Sequence, residues 1–216
     1  MKSKLILIMI LSLAIFSCSD DDDNGGTQPP SQGLDGDITQ DLTLDPSITY
    51  DLSGEVKVQD GVTLTIPAGT EIVSAVGTGN YLAVLQGGSI DIQGTPSNPV
   101  IMRSSSGNAG SWGGLLLCGN APTTAGTNVT AEVGGLVYGG TNATDDSGSI
   151  NYLIIRDAGA QVNPNVQYNG LSLYAVGSGT SISNVAIING ADDGVEFFGG
   201  TVNASNIYLE NNEDDA

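Results

Sequence analysis

The sequence predicts an all-β parallel β-helix, a solenoid in which short strands stack coil upon coil. Glycine makes up 31 of the 216 residues, and Val, Ile, Thr and Tyr carry the apolar pattern beyond the first 17 residues. The apolar segments alternate with period two, and they recur at offsets of 22, 26 and 32 residues. A repeat of about 20 to 25 residues made of one short strand and polar turns is typical of solenoids, because a single unit buries too little apolar surface to fold alone.

Residues 1–17 are predicted to be an export signal. Lys2 and Lys4 precede an apolar run of about 12 residues, which is shorter than the ~20 residues that a membrane-spanning helix needs. Cys18 follows directly, as in a bacterial lipobox, so we expect this cysteine to be lipidated and to anchor the chain to a membrane. The residues before it, Ile15-Phe16-Ser17, depart from the commonest lipobox, which leaves a plain secretory signal as the alternative.

Residues 18–36 are predicted to be a flexible tether. Four aspartates, Asp20 to Asp23, follow the cysteine, and the next ten residues are rich in Gly, Pro, Gln and Ser. Acidic residues at this place also resemble the surface-export signal of Bacteroidetes lipoproteins. That resemblance implies an outer-membrane lipoprotein exposed at the cell surface.

Residues 37–216 are predicted to form the β-helix. Leu64 aligns with Ile90 at an offset of 26. Three later segments also align with one another, and in each of them every second residue, on the side predicted to face the core, is apolar. The equivalent inward positions are Leu153, Val185 and Ile207, then Ile155, Ile187 and Leu209. The offset of 32 between the first two segments predicts an insertion of about ten residues, with a local hairpin possible near Asn169-Gly170.

The pattern loosens between Ser104 and Ile150, where a Thr-, Gly- and Asn-rich excursion interrupts the strands. At the other end, Asp214-Asp215-Ala216 stands at a turn where a further strand is due, and no polar cap follows. We therefore expect the sequence to be the N-terminal fragment of a longer protein. An open reading frame that stops after Ala216 would contradict this expectation.

The charge balance excludes several functions. After the export signal the chain carries all 24 of its acidic residues against three basic ones, Lys57, Arg103 and Arg156. Such a chain repels nucleic acids and favours cations, cationic partners or neutral sugars. There is no histidine, which excludes Ser-His and Cys-His catalysis and the usual imidazole metal ligand.

Several stretches resemble a known family of Bacteroidetes surface lipoproteins with a right-handed parallel β-helix. The resemblance covers residues 38–216. The matching stretches are Gly61-Val62-Thr63-Leu64-Thr65-Ile66-Pro67-Ala68-Gly69-Thr70, Ser111-Trp112-Gly113-Gly114, Gly119-Asn120-Ala121-Pro122, Tyr138-Gly139-Gly140-Thr141-Asn142 and Asp192-Asp193-Gly194-Val195-Glu196-Phe197-Phe198-Gly199-Gly200-Thr201-Val202-Asn203. The resemblance implies a fold and a cellular address but no assigned reaction, and because members of this family continue further, it also fits the expected truncation.

The doubled aspartates are the candidate metal site. The 22-residue offset stacks Asp192-Asp193 on Asp214-Asp215, and equivalent residues on neighbouring coils lie about 4.8 Å apart. Two carboxylates at that distance repel by about 3–4 kcal/mol at an effective dielectric constant of ~20 and by less than about 1 kcal/mol in water, so the cluster must be well solvated, partly protonated or neutralised by a cation. Oxygen ligands without histidine or a nearby thiol favour Ca²⁺. The alternative is that these aspartates are simply turn residues.

Other polar and aromatic residues have competing interpretations. Asn184 over Asn206 and Asn189 over Asn211 are predicted to form stacked amide ladders, and Cys118 is predicted to be a buried small residue. Some aromatic side chains would form a platform for sugars if they face outward, and the candidates for glycan contact are Trp112, Phe198 and Tyr208.

These observations favour a lipid-anchored, non-catalytic binding or structural module, directed at glycan or extracellular matrix and supported by Ca²⁺. No catalytic residue is assigned in this interpretation. The alternative is a polysaccharide-acting enzyme, a pectinase-like hydrolase or lyase that uses Asp192, Asp193 and Asp214, with Glu196 as a further carboxylate. The chain lacks the histidine and the Arg-x-Lys stretch of such hydrolases, and it offers no good candidate for the Lys or Arg base of the lyases.

Overall fold

A computed structural model describes residues 30–214, which fold as the predicted parallel β-helix. No helix in this part of the chain is long and apolar enough to cross a membrane. The predicted export signal, Cys18 and Asp215 lie outside the described residues.

The strands stack in three columns, which the chain visits in the order A, B, C. Column A contains β2 (Asp37–Ile38), β5 (Glu55–Val58), β8 (Tyr81–Val84), β11 (Leu115–Cys118), β17 (Leu171–Tyr174) and β19 (Val195–Phe198). Column B contains β3 (Leu42–Thr43), β6 (Thr63–Pro67) and β9 (Ser89–Gln93), and column C contains β1 (Ser31–Leu34), β4 (Thr49–Leu52), β7 (Glu71–Ser74) and β10 (Val100–Ser104). In the later coils one long strand serves both B and C, namely β14 (Gly148–Arg156), β18 (Ser181–Ile188) and β20 (Asn203–Glu210).

The register of the coils is the predicted one. Leu64 pairs with Ile90, and Leu153 pairs with Val185, which in turn pairs with Ile207. The inward side chains of the three columns form one continuous apolar core along the axis of the solenoid. A slip of one residue would bury the outward side chains instead, so the buried parity determines the pairing.

A stack of left-handed residues makes the bend between columns B and C. Tyr152, Asn184 and Asn206 have φ of 50°, 57° and 55°, and asparagine tolerates this conformation better than most residues. The Nδ2 of Asn206 donates to Oδ1 of Asn184 at 3.1 Å, which confirms this predicted ladder. In the second predicted ladder, Asn189 over Asn211, the hydrogen-bond partner differs. The Nδ2 of Asn189 donates to Oδ1 of Asp157 at 2.7 Å.

Two insertions cover the outward face of column A. The larger one, residues 119–147, contains β12 (Val129–Thr130) and β13 (Val137–Tyr138), and the smaller one contains β15 (Gln161–Asn163) and β16 (Val166–Gln167). With the outward side chains of β8, β11 and β17 they enclose a second apolar cluster rich in tyrosine. Cys118 is buried in it as a free thiol, as predicted, and burial raises the pKa of that thiol to about 12.

Two boundaries differ from the sequence predictions. Strand β1 begins at Ser31, inside the predicted tether, because it pairs with β4 over four residues and buries Leu34. The hairpin of the smaller insertion closes at Pro164-Asn165, whereas Asn169 is buried where the chain re-enters column A.

Candidate functional site

Three aspartates meet where the chain turns from column C towards column A. Asp192 and Asp193 follow β18, and Asp214 lies one coil further on, after β20. Carboxylate oxygens of the three residues lie within 4.8 Å of one another. The predicted stacking of these aspartates is therefore present, except that Asp215 is outside the described residues.

Backbone contacts between the two turns hold this arrangement. The N–H of Glu213 donates to the carbonyl oxygen of Gly190 at 3.1 Å, and the N–H of Gly190 donates to Oδ1 of Asn212 at 3.0 Å. The carbonyl oxygen of Asp193 accepts from the N–H of Gly170 at 3.0 Å. The carboxylates are thus brought together by contacts that the coil register makes, and their own repulsion opposes the arrangement.

The aspartates line an acidic pocket of about 270 Å³. The two insertions complete it, since Glu132 comes from the larger one and Asn165 and Gln167 come from the smaller one. Gln167 is held by a hydrogen bond of 3.0 Å from its Nε2 to the carbonyl oxygen of Ala191. The pocket is lined by Glu132, Asn165, Gln167, Asp192, Asp193, Glu196 and Asp214.

Burial raises the pKa values of three acids in this pocket, Asp192, Glu132 and Glu196. Removal from water raises the pKa of Asp192 to about 6, and the charges of Asp193 and Asp214 add to this effect. Desolvation also raises the pKa of Glu132 and of Glu196. Within residues 30–214, no lysine or arginine lines the pocket. Of the three described basic side chains, Lys57 pairs with Glu55, and Arg103 pairs with Glu71 at 2.7 Å.

Asn169 positions Glu196 at the wall of the acidic pocket. Its side chain is 1% exposed, and its Nδ2 donates to Oε2 of Glu196 at 2.7 Å. This hydrogen bond opposes the rise in the pKa of Glu196, because it stabilises the charged carboxylate. The Oδ1 of Asn169 is buried without a hydrogen-bond partner.

The sequence alone missed Glu132, Asn165 and Gln167. All three lie on insertions that interrupt the repeat, so no periodicity aligns them with the aspartates. The only available signal was the insertion of about ten residues before β18, which indicated that extra chain lies beside this turn.

The predicted glycan contacts are separated by the fold. Trp112 is 0% exposed in the core, and its Nε1 donates to the carbonyl oxygen of Arg156 at 2.8 Å, so its assignment as a glycan contact is wrong. Phe198 faces outward but stacks on Tyr174 with ring centroids 4.2 Å apart. Its neighbour Phe197 has the inward parity, paired with Leu173, but it is 51% exposed.

Tyr208 does project from the surface. It pairs with Ala186 on the outward face of column C, and its side chain is 55% exposed. Its hydroxyl donates to Oε2 of Glu210 at 2.6 Å. It lies away from the acidic pocket and shares no lining residue with it.

Comparison with known proteins agrees with this architecture. A protein-family model described as a pectate-lyase-like β-helix domain matches residues 36–216. No curated protein and no solved structure gave a significant match. The match spans most of the chain and covers every strand except β1, both insertions and the acidic pocket. The chain therefore belongs to the family of pectate-lyase-like β-helix domains.

Proposed function

We propose that this domain is a non-catalytic carbohydrate-binding module whose acidic pocket holds Ca²⁺. One observation carries the proposal: Asp192, Asp193 and Asp214 bring carboxylate oxygens within 4.8 Å of one another in a pocket that no basic residue lines. Three carboxylates at such distances repel, and a divalent cation converts this repulsion into attraction. In the alternative, in which the aspartates serve only as turn residues, water and the protonation of Asp192 would relieve the repulsion.

The donor set favours Ca²⁺ among the biological cations. The pocket offers carboxylate oxygens and the amide oxygens of Asn165 and Gln167, and no imidazole or thiolate lines it. Ca²⁺ takes six to eight oxygen ligands in flexible geometry, whereas zinc and copper prefer nitrogen and sulfur. Three aspartates do not fill such a shell, so coordination positions remain for oxygens of a ligand.

A polysaccharide is the ligand class that the family and the pocket support. The family is described by its likeness to pectate lyases. The hydroxyl or carboxylate oxygens of a sugar would complete the shell of a bound Ca²⁺, and the amides of Asn165 and Gln167 would bind further hydroxyls. The excess of acidic residues opposes nucleic acids as ligands.

The chemistry of the pocket favours binding over catalysis. The Lys or Arg base of the pectate lyases has no counterpart here, since neither residue is among the described residues that line the pocket. Lys57 and Arg103 are engaged by glutamates elsewhere.

One observation favours a second candidate, a glycoside hydrolase. The pKa of Asp192 is raised to about 6, so below that pH this carboxyl is protonated and could act as a general acid beside a second carboxyl group of the pocket. Such an enzyme would release new reducing ends from its polysaccharide and would lose activity above pH ~6.

Electrophoresis of the full chain through gels that contain polysaccharide tests the proposal. We expect retention by polygalacturonate or by one of a set of neutral plant glycans with millimolar Ca²⁺ and not with EDTA. Asp192→Asn should abolish it, because the variant removes a ligand of the ion. Asp51→Asn, which removes the same charge from an exposed position on β4, should be retained like the parent.

Three outcomes decide between the candidates. Retention that is unaffected by EDTA and by Asp192→Asn would contradict the Ca²⁺-dependent module, as would no retention by any of the glycans. Reducing ends that accumulate with the parent chain and not with Asp192→Asn would favour the hydrolase.

We also propose that the module is displayed at the outer surface of the outer membrane by a lipid on Cys18. The support is the sequence, since an apolar run ends at this cysteine and four aspartates follow it. In the native host the chain should be extracted from the outer membrane only with detergent and should be accessible to protease on intact cells. A Cys18→Ala chain that remains membrane-bound would contradict the anchor.

A further inference from the structure

A second surface groove lies on the outward face of column C, beside the bend between columns B and C. Its volume is about 300 Å³. Ile154, Ala186 and Tyr208 form its floor, because they are register partners on three successive coils with the outward parity. Pro96 and Pro99, from the turn between β9 and β10, form one wall.

The groove is uncharged, although the chain is strongly acidic. None of the described residues that line it is acidic or basic, and those that are not apolar contribute amides or a phenol ring; the Glu210 carboxylate lies at its edge, where it accepts from the Tyr208 hydroxyl. A region without charge on a molecule with 24 acidic residues favours an uncharged occupant, since an anion would be repelled and a cation would find better sites elsewhere.

Tyr208 gives the groove an exposed aromatic surface. Tyr208 is 55% exposed, and its hydroxyl donates to the carboxylate of Glu210. An exposed aromatic ring presents a flat apolar face of the kind that packs against the C–H face of a sugar ring, while its hydroxyl end stays in water.

The amide ladder gives the groove oriented hydrogen-bonding groups. The Nδ2 of Asn206 donates to Asn184, and the Nδ2 of Asn184 donates to Oδ1 of Asn151 at 2.8 Å. These bonds fix the orientation of the Asn184 and Asn206 amides, which line the groove. In the ladder the Nδ2 of Asn206 is the donor, so the side-chain oxygen Oδ1 of Asn206 is left to accept a hydrogen bond from a hydroxyl of the ligand.

From this geometry we infer that the groove is a subsite for a neutral oligosaccharide, which stacks on Tyr208 and hydrogen-bonds to the Asn184 and Asn206 amides. The inference rests on the proposed carbohydrate-binding function and extends it to a surface that needs no cation. Tyr208 precedes Asp214 by six residues, which is at most about 20 Å of extended chain. A single polysaccharide could therefore contact both sites, and two linked weak contacts bind more tightly than either alone.

The test measures binding of cellohexaose, xylohexaose and mannohexaose to the full chain by titration calorimetry in EDTA, which removes any contribution from Ca²⁺. We expect at least one of these neutral sugars to bind. Tyr208→Ala should weaken it roughly five- to tenfold, the size expected from the loss of one aromatic contact. Tyr208→Phe keeps the ring and should stay within about twofold of the parent. Val76→Ala, at an exposed apolar position outside the groove, should not change binding.

The possible failures are distinguishable. If a neutral sugar binds and Tyr208→Ala binds it equally well, the groove is not the subsite, while the carbohydrate function stands. If none binds in EDTA, the groove inference is wrong, and Ca²⁺-dependent retention by polysaccharide gels still decides the proposed function separately. If light scattering shows a dimer that Tyr208→Ala dissociates, the groove is an interface between two copies, which also overturns the inference.

Discussion

Millimolar Ca²⁺ is expected to raise the melting temperature of the domain by roughly 5–10 °C at pH 7.5. An ion present at 100 times its dissociation constant adds about 2.7 kcal/mol to the free energy of unfolding, and 1 kcal/mol corresponds to about 2–4 °C in a domain of this size. The ion would offset the repulsion among Asp192, Asp193 and Asp214, whose oxygens lie within 4.8 Å of one another. Thermal unfolding of the full chain by circular dichroism, with Ca²⁺ and with EDTA, measures this shift.

The shift should depend on pH and on Asp192. Because the pKa of Asp192 is raised from 3.8 to about 6, protons compete with Ca²⁺ for this carboxylate, and the shift should be smaller at pH 5 than at pH 7.5. In EDTA, where no Ca²⁺ is bound, the pH dependence has the opposite sign: the contribution of Asp192 to the stability decreases as the pH rises. A carboxyl with a raised pKa in the folded state binds more protons than in the unfolded state between pH 3.8 and 6, so its contribution to stability falls as the pH rises through that range.

Two variants that remove the same charge distinguish Ca²⁺ binding in the acidic pocket from an effect of Ca²⁺ on the total charge of the molecule. Asp192→Asn should lose most of the Ca²⁺ shift and the associated pH dependence, whereas Asp51→Asn should keep both. An equal shift in the two variants would show that Ca²⁺ acts on the total charge of the molecule and not through the acidic pocket.

Replacement of Trp112 by alanine is expected to destabilise the domain by about 3–5 kcal/mol. The side chain is completely buried, so its removal leaves a large cavity in the axial core. It also leaves the carbonyl oxygen of Arg156 without the indole N–H that now donates to it at 2.8 Å. The midpoint of urea unfolding, followed by far-ultraviolet circular dichroism, measures the loss.

Trp112→Phe separates packing from hydrogen bonding. It retains most of the ring volume and loses the donor, so it should cost less than the alanine variant. Val76→Ala, at a position that is 59% exposed, should change the stability by less than about 0.5 kcal/mol. If Trp112→Ala behaved like Val76→Ala, the burial of the indole in the core would be contradicted.

The coil register could be predicted from the sequence because every strand obeys the same physical rule. Inward positions such as Leu153, Val185 and Ile207 must be apolar in each coil, so the repeat is visible as an alignment of the chain with itself. Strand β1 was missed because its residues, Ser31–Leu34, are mostly polar and exposed, and only Leu34 carries the pattern.

The acidic pocket was predicted only in part, because the sequence period aligns only those residues that belong to the repeat. The aspartates lie at equivalent places on successive coils, so the period of the sequence is sufficient to bring them together. Glu132 and Gln167 reach the pocket from insertions, and their place depends on packing between segments far apart in the chain. The burial of Trp112 was missed as well, because the hydrogen bond that fixes its indole in the core is made with Arg156, 44 residues further along the chain.

The larger insertion, residues 119–147, also binds successive coils to one another. Its backbone accepts hydrogen bonds from the side chain of Gln86, and Tyr138 packs on Tyr174 with ring centroids 5.1 Å apart. The carbonyl oxygen of Pro122, just after β11, accepts from the N–H of Gly200, just after β19, two coils further on. A simple solenoid can unravel from an end one coil at a time, because each coil touches only its neighbours. Here the insertion acts as a brace along the axis, so under heat or tension the coils from β8 to β19 should come apart together.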